Sequence, residues 1–120
     1  MSSTIIGKLD SNPILKTSPA GNKTVVFTLI MNRVKGNQQW ETSVECSAWG
    51  TLAEGIFTSL HKGDRAIVFG NFGSEVVLDG SANKEKLILY AEAVGPELRF
   101  QTAAVKHNRN LQKNTEVEIA

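Results

Sequence analysis

Hydrophobic and polar residues alternate along much of this chain, and this pattern predicts strands more often than helices. The strongest alternation covers residues 23–32, where apolar side chains occupy both faces, so both faces should be covered for part of the strand. Residues 40–49 also alternate. Shorter apolar runs predict further strands at residues 4–9, 64–72 and 87–94, with residues 14–17 continuing the first strand after a bend.

One segment has helical spacing. Within residues 51–62, apolar side chains recur at three- and four-residue intervals, which predicts a helix with one apolar face. Thr51 and Glu54 have the spacing of a capping box at its start, and Gly63 after its end is a typical stop signal. The predicted apolar face consists of Leu52, Ile56, Phe57 and Leu60.

The connections between these elements are polar or rich in glycine. Residues 33–39 are predicted to form a loop, and residues 72–90 a long hairpin with its tip at 79–83. Beyond Gln101 the apolar periodicity is lost. We therefore expect one domain over residues 1–103 and a flexible polar tail over 104–120, unless residues 100–105 add a short strand.

The order of elements is three strands, a helix and two strands, with glycines where strands must bend, as at Gly70. This order is typical of an all-β protein with the oligonucleotide-binding (OB) fold. The predicted architecture is a five-stranded Greek-key barrel with one helix between strands 3 and 4.

Trp49 is the most informative residue of the third strand. Val44, Cys46 and Ala48 share one face as an ordinary core face, whereas Trp49 ends the opposite face, which is otherwise polar. A large aromatic ring on a solvated strand face suits stacking on an unpaired nucleobase, although it could instead cover the end of the core.

Composition narrows the class of protein. The chain has 120 residues, of which 41% are hydrophobic and 21% charged, which is typical of one soluble globular domain. No apolar run is long enough to cross a bilayer, and the N-terminus lacks the pattern of a secretory signal. Cys46 is the single cysteine, which fits a reducing compartment, so we expect a cytoplasmic protein without a membrane partner.

Charge gives little support for nucleic-acid binding, because the net charge is only +1. Catalysis and metal binding have less support still. His61 falls at a helix C-terminus, His107 falls in the tail, and Cys46 is distant from both in sequence. No phosphate-binding glycine loop or nucleophile motif occurs. We therefore predict no catalytic residue, no metal site and no cofactor.

Five stretches have a specific order and spacing, although each alone is weakly specific. They are I-G-K-L-D-S-N-P at 6–13, T-S-P-A-G-N-K-T-V-V-F-T-L at 17–29, W-G-T-L-A-E at 49–54, L-H-K-G-D-R-A-I-V-F-G at 60–70 and V-G-P-E-L-R-F at 94–100. Together they cover about residues 4–100 and resemble the bacterial single-stranded DNA-binding protein family. The last stretch is similar to the actinobacterial branch.

The resemblance implies an OB barrel, assembled as a homotetramer, that binds single-stranded DNA without sequence preference during replication, repair or recombination at the nucleoid. Trp49 matches a position where the family stacks bases on aromatic rings. Basic side chains on strands or adjoining loops are expected to neutralise phosphates. The DNA-binding residues predicted in this way are Trp49, Trp40, Arg33, Lys35, Lys8, Arg65, Lys84 and Lys86.

The chain departs from the family in several places. Ser43 and Val77 stand at or near positions that are aromatic in the family, and Glu41 and Glu45 place carboxylates on the face proposed for DNA. Trp40 could compensate, but the alternation places it on the core side, where it would be a strand-end core residue.

The end of the sequence, with Glu116 and Glu118, only faintly resembles the acidic tip that recruits repair enzymes in the family. Recruitment is therefore doubtful, and the resemblance is to a short or secondary member.

Two alternatives remain open at this stage. The missing aromatic residues permit an OB barrel that acts as a protein-interaction or assembly subunit with weak affinity for nucleic acid. Barrels of this kind also bind single-stranded RNA, and nothing in the sequence separates ribose from deoxyribose.

Overall fold

The computed structural model describes residues 2–108, and in this range six strands and one helix follow one another. The predicted tail passes out of the described residues at position 109, so the acidic end of the sequence lies outside them. The elements are β1 (Ser2–Leu9), β2 (Ile14–Thr17), β3 (Lys23–Lys35), β4 (Gln38–Trp49), α1 (Gly50–Ser59), β5 (Arg65–Asp79) and β6 (Ala82–Pro96).

The strands close into a barrel because β1 pairs with β5 on one side and with β3 on the other. The order around the barrel is β1-β5-β6-β4-β3, and β4 and β6 pair in parallel from Glu45↔Ile88 to Ser47↔Tyr90. The short β2 pairs with β3 at the edge. With β1 and β2 counted as one bent strand, the predicted five-stranded OB barrel, with its helix between strands 3 and 4, is confirmed.

Inward-pointing side chains fill the barrel at every second position. Val25, Phe27 and Leu29 on β3 are no more than 2% exposed, and Cys46 and Ala48 on β4 are fully buried. The two strongest alternations in the sequence therefore identify the core correctly. The helix packs onto this core through Ala53 and Ile56, followed by Leu60 at its C-terminal cap.

Two hairpins extend well beyond the barrel, and one of them corrects a prediction. Residues 33–39 are not a loop, because β3 and β4 remain paired as far as Lys35↔Gln38. Polar side chains tolerate this pairing because the backbone hydrogen bonds of a hairpin do not require a buried face. The second hairpin, predicted at 72–90, is confirmed, with β5 and β6 paired as far as Asp79↔Ala82. We call these the β3–β4 arm (residues 30–43) and the β5–β6 arm (residues 72–88).

Because β4 and β6 are parallel where they pair, both arms leave the barrel at the same end. Their turns, at residues 36–37 and 80–81, are therefore at the end of the molecule opposite Trp49.

The helix differs from its prediction at both ends. It covers Gly50–Ser59 rather than 51–62, and Trp49 is its N-cap residue without a side-chain cap hydrogen bond. The predicted capping box is wrong because Thr51 already lies inside the first turn, and Glu54 pairs instead with Lys23. Phe57 is also exposed, so the apolar face is narrower than predicted.

The segment after β6 turns back onto the start of β5. The side-chain amide of Gln101 donates to the carbonyl oxygens of Arg65 and Glu97, each at 2.7 Å. Residues 101–108 form no regular secondary structure, so the alternative short strand at 100–105 is wrong.

Gly70 bends β5 as predicted. The pairing between β5 and β6 shifts register between Phe69 and Gly70. A Cβ atom at Gly70 would lie 2.1 Å from the carbonyl oxygen of Tyr90, so a side chain cannot be accommodated without displacing backbone.

Candidate nucleic-acid interface

A groove of about 1050 Å³ runs across the outer face of the barrel. Its walls come from the β2–β3 connection, the middle of β4, the start of α1 and the base of the β5–β6 arm. In OB folds this face and these connections form the ligand site. The charged and aromatic residues that line the groove are Lys16, Lys23, Glu45, Trp49, Glu54 and Glu75.

Trp49 lies in this groove at the junction of β4 and α1. Its neighbour Ala48 points inward and is fully buried, whereas the Trp49 side chain is 51% exposed, as the alternation predicted. Its backbone is extended, pairs with Thr24 of β3 and also caps the helix. The backbone of Trp49 is therefore held from two directions while its ring remains accessible.

One face of the Trp49 ring is covered by a second aromatic ring. The ring centroids of Trp49 and Tyr90 are 5.4 Å apart, and the ring planes differ by 22°. This is an offset-stacked geometry, which stabilises an aromatic pair beyond the area it buries. Trp49 is still 51% exposed, so it remains accessible although Tyr90 stacks on one face of its ring.

Tyr90 is itself held in place by two residues of β5. Its hydroxyl group donates a hydrogen bond of 2.8 Å to the carboxylate of Glu75. Its ring lies against Gly73, where a Cβ atom would come within 2.6 Å of Cε2. The hydrogen bond to Glu75 is the main cause that raises the pKa of Tyr90, with burial and the Glu75 charge adding to it. The hydroxyl therefore stays protonated and keeps donating at neutral pH.

Each of the groove carboxylates has a partner. Glu45 pairs with Lys86 at 2.8 Å, Glu54 pairs with Lys23, and Glu75 accepts from Tyr90. The repulsion of phosphates expected from Glu45 is thus offset by Lys86. Lys16 also lines the groove and forms no ion pair with any residue in the range 2–108.

Three of the predicted DNA-binding residues lie together on the β3–β4 arm. Arg33 is the cross-strand partner of Trp40, and Lys35 is near the turn. Trp40 is 51% exposed, so its interpretation as a core residue is wrong. The parity argument fails because the arm has left the barrel at this point, and its inward face has no core to cover.

The other predicted residues are dispersed. Lys86 pairs with Glu45, which lines the groove. Lys84 pairs with Asp79 near the turn of the β5–β6 arm at 3.4 Å. Lys8 and Arg65 are register partners on β1 and β5, and neither lines the groove.

Arg65 belongs to a separate cluster at the end of β6. Its Nε atom donates to Glu97 at 3.1 Å, and its guanidinium group lies 5.5 Å from the centroid of the Phe100 ring. Arg99 lies 5.0 Å from the same ring centroid. The backbone amide of Arg99, followed by the charge and hydrogen bond of Arg65, lowers the pKa of Glu97. Arg65 is therefore already engaged within the chain.

Sequence reasoning missed Lys16 and Lys23 as groove residues, and Tyr90 as the ring that stacks on Trp49. The signal for Tyr90 was present, because Leu89 and Ala91 beside it are core residues and strand alternation turns Tyr90 outward. No local signal marks the two lysines, since the groove wall at that point is formed by the β2–β3 connection.

Nothing in the described chain indicates a reactive centre. Burial, followed by the charge of Glu45, raises the pKa of the Cys46 thiol to about 12, so it is not a nucleophile near neutral pH. Within residues 2–108, no three His, Cys, Asp or Glu side chains come together as metal ligands. The same range contains no helix with the length and apolar character that crossing a bilayer requires.

Comparison with known proteins agrees with this geometry. Residues 1–97 match the model of the Single-strand binding protein family. The chain is 31% identical over 121 residues to a "Single-stranded DNA-binding protein" of Paenarthrobacter aurescens, a match that covers 94% of this chain and 70% of the relative. It is 30% identical over 112 residues to the protein of that name in Mycobacterium tuberculosis, covering 85% and 67%. A "Single-stranded DNA-binding protein 2" of Listeria innocua is 31% identical over 99 residues, covering 80% and 60%.

Proposed function

Because the chain belongs to the single-strand binding protein family, we propose that it binds single-stranded DNA without sequence preference. In this role it protects unpaired strands during replication, repair or recombination, at the nucleoid in the cytoplasm. The observation that carries the proposal is the half-exposed indole of Trp49 in a groove that lysines also line.

Base stacking is the first part of the proposed mechanism. An unpaired base lies flat on the open face of Trp49, and such a stack contributes ~1–3 kcal/mol whatever the base, because every base has a π-face. Double-stranded DNA should bind much more weakly, because its bases already stack on one another.

Phosphate neutralisation is the second part. Each phosphate contact on a single strand releases condensed counterions, which gives a slope of about −0.7 in log affinity against log salt concentration. The cations proposed for these contacts line the groove or stand on the arms that extend from the barrel. They are Lys16, Lys23, Arg33, Lys35, Lys84 and Lys86, with Trp40 as a further aromatic contact. Lys8 and Arg65 are the weaker candidates, because they lie away from the groove.

Self-association completes the proposal, and an apolar face supports it. Ile6 on β1 and Ile67 and Phe69 on β5 form a patch on the outside of the barrel, each 36–46% exposed. A soluble protein rarely leaves clustered apolar side chains uncovered, and a second copy would cover them. We propose a homotetramer, in which several grooves hold one strand and raise its effective concentration at each site.

Titration of tryptophan fluorescence with oligo-dT at two salt concentrations tests the proposal. We expect quenching that saturates, an affinity that falls at the higher salt concentration, and little quenching by a duplex of the same length. Quenching that does not differ between oligo-dT and the duplex would contradict the stacking mechanism.

A second candidate function is a protein-interaction subunit, and one observation favours it. Val76, Leu78 and Leu87 form an exposed apolar strip on one face of the β5–β6 arm. A mobility shift assay with unstructured single strands separates the two functions. No shift at low salt, with the fold intact by circular dichroism, would favour the interaction subunit.

A further inference from the structure

We infer that Tyr90 is a positioning residue of the base-stacking site: it backs the Trp49 indole so that a nucleobase adds to the opposite face, as the third ring of one stack. This inference rests on the proposed function, which it deepens by assigning a role to a residue outside the predicted DNA-binding set. Tyr90 would act on the nucleotide through Trp49 and not by direct contact.

The first argument is that Tyr90 covers one ring face of the Trp49 indole. The strand and helix around Trp49 fix its backbone, but a tryptophan that is half exposed can still change rotamer. Tyr90 is the one aromatic ring within residues 2–108 that stacks on Trp49, at 5.4 Å between centroids. Holding the indole in one orientation before DNA arrives reduces the entropy that binding would otherwise cost.

The second argument is that the structure around Tyr90 is built to hold its ring flat. Tyr90 and Glu75 are on adjacent strands, and the hydrogen bond between them fixes the far end of the ring. Gly73 precedes Glu75 by two residues on β5, and a Cβ atom at this position would displace the Tyr90 ring from its present place. Three residues on one strand pair thus determine the plane on which Trp49 stacks.

A DNA-free measurement tests whether Tyr90 supports the indole. In a Trp40→Phe background, Trp49 is the only source of tryptophan fluorescence. Tyr90→Leu should raise the constant for acrylamide quenching roughly twofold, since the second ring face becomes accessible. Tyr90→Phe should keep most of the protection, because the ring remains. Phe57→Leu, which removes an exposed aromatic ring from the helix, should leave the quenching constant unchanged.

A binding measurement in the same background tests whether the support is used. We expect Tyr90→Leu to weaken oligo-dT binding by about three- to tenfold through lost preorganisation, with the salt slope unchanged because no phosphate contact is removed. Urea unfolding confirms that the variants stay folded at the titration temperature.

The outcomes separate this inference from the proposed function. If Trp49→Ala weakens binding while Tyr90→Leu binds as tightly as its parent or more tightly, Tyr90 does not position the indole and only this inference fails. If Trp49→Ala leaves oligo-dT binding unchanged, the stacking site itself is refuted, and the proposed role of Tyr90 is refuted together with it. A change of salt slope in Tyr90→Leu would show that the tyrosine acts on phosphate contacts instead, and would overturn the inference.

Discussion

Trp40 and Trp49 occupy opposite ends of β4 and are equally exposed, at 51%, yet their surroundings differ. Trp49 caps a helix, pairs with β3 and stacks on Tyr90. Trp40 stands on an arm that has left the barrel, opposite Arg33. Exposure alone therefore does not distinguish a ring that is backed by a second aromatic ring from a ring on an extended arm. The two tryptophans are distinguished by the second aromatic ring that stacks on Trp49.

The charges of the two regions differ in the same way. Lys23 in the groove and Lys86 beside it are already paired with Glu54 and Glu45, whereas Lys16 in the groove forms no ion pair within residues 2–108. On the β3–β4 arm, Arg33 and Lys35 form no ion pair with residues in the described range. We therefore expect the groove to supply oriented stacking with moderated charge, whereas the arm supplies charge that is available to phosphates at once.

The largest effect should come from separating the copies of the chain, because it isolates one groove and one pair of arms. Phe69→Glu places a carboxylate in the apolar patch and should give monomers by sedimentation. Affinity for a strand long enough to span several subunits should fall on the order of a hundredfold, because the gain in effective concentration is lost.

The matched control for this change is Phe57→Glu on the helix, which should keep the assembly. If Phe69→Glu is monomeric but binds long strands as tightly as the parent, each groove with its arms is sufficient by itself.

The next largest effect should separate the two tryptophans. Trp49→Ala should weaken oligo-dT binding by ~1–3 kcal/mol, the value of one base stack, whereas Trp40→Ala should weaken it by less. Both are measured by anisotropy of a labelled oligonucleotide, so that removing a tryptophan does not remove the signal. Equal losses for the two variants would mean that the support under Trp49 has no consequence for binding.

A smaller effect should distinguish the unpaired cations of the β3–β4 arm from Lys86, which is paired with a carboxylate of the groove. The double change Arg33→Gln and Lys35→Gln should reduce the steepness of the salt dependence by about 0.7 for each phosphate contact removed. Lys86→Gln should reduce it less, because Lys86 is already paired with Glu45. The slopes come from titrations over a series of salt concentrations, and the opposite ranking would assign the phosphate path to the groove.

The smallest effect should be a gain. Glu45→Gln releases Lys86 from its ion pair, so affinity for oligo-dT at low salt should rise about twofold and the salt dependence should steepen. Stability should change little, because partly exposed ion pairs contribute only ~0–1 kcal/mol. Glu41→Gln, which changes a carboxylate on the β3–β4 arm, is the control that removes one negative charge without freeing Lys86. Weaker binding by Glu45→Gln would show that the carboxylate orients Lys86 for DNA.

Some of the site was predictable because it depends on local periodicity. Core positions such as Phe27 and Cys46, and the outward direction of Trp49, follow from the alternation of a strand with one buried face. The same rule failed for Trp40, since parity gives a direction but cannot say where a barrel ends. It also failed at residues 33–39, because polar strands that pair with each other leave no hydrophobic signal.

The sequence by itself determined the class of fold, the order of elements, the core faces of the central strands and the ring that defines the candidate site. Only the tertiary structure decided what lies beneath that ring and which lysines are free. Trp49 meets Tyr90, and Glu45 meets Lys86, across 41 positions of the chain. Contacts of this kind depend on the parallel register of β4 against β6, which barrel closure sets and local spacing does not encode.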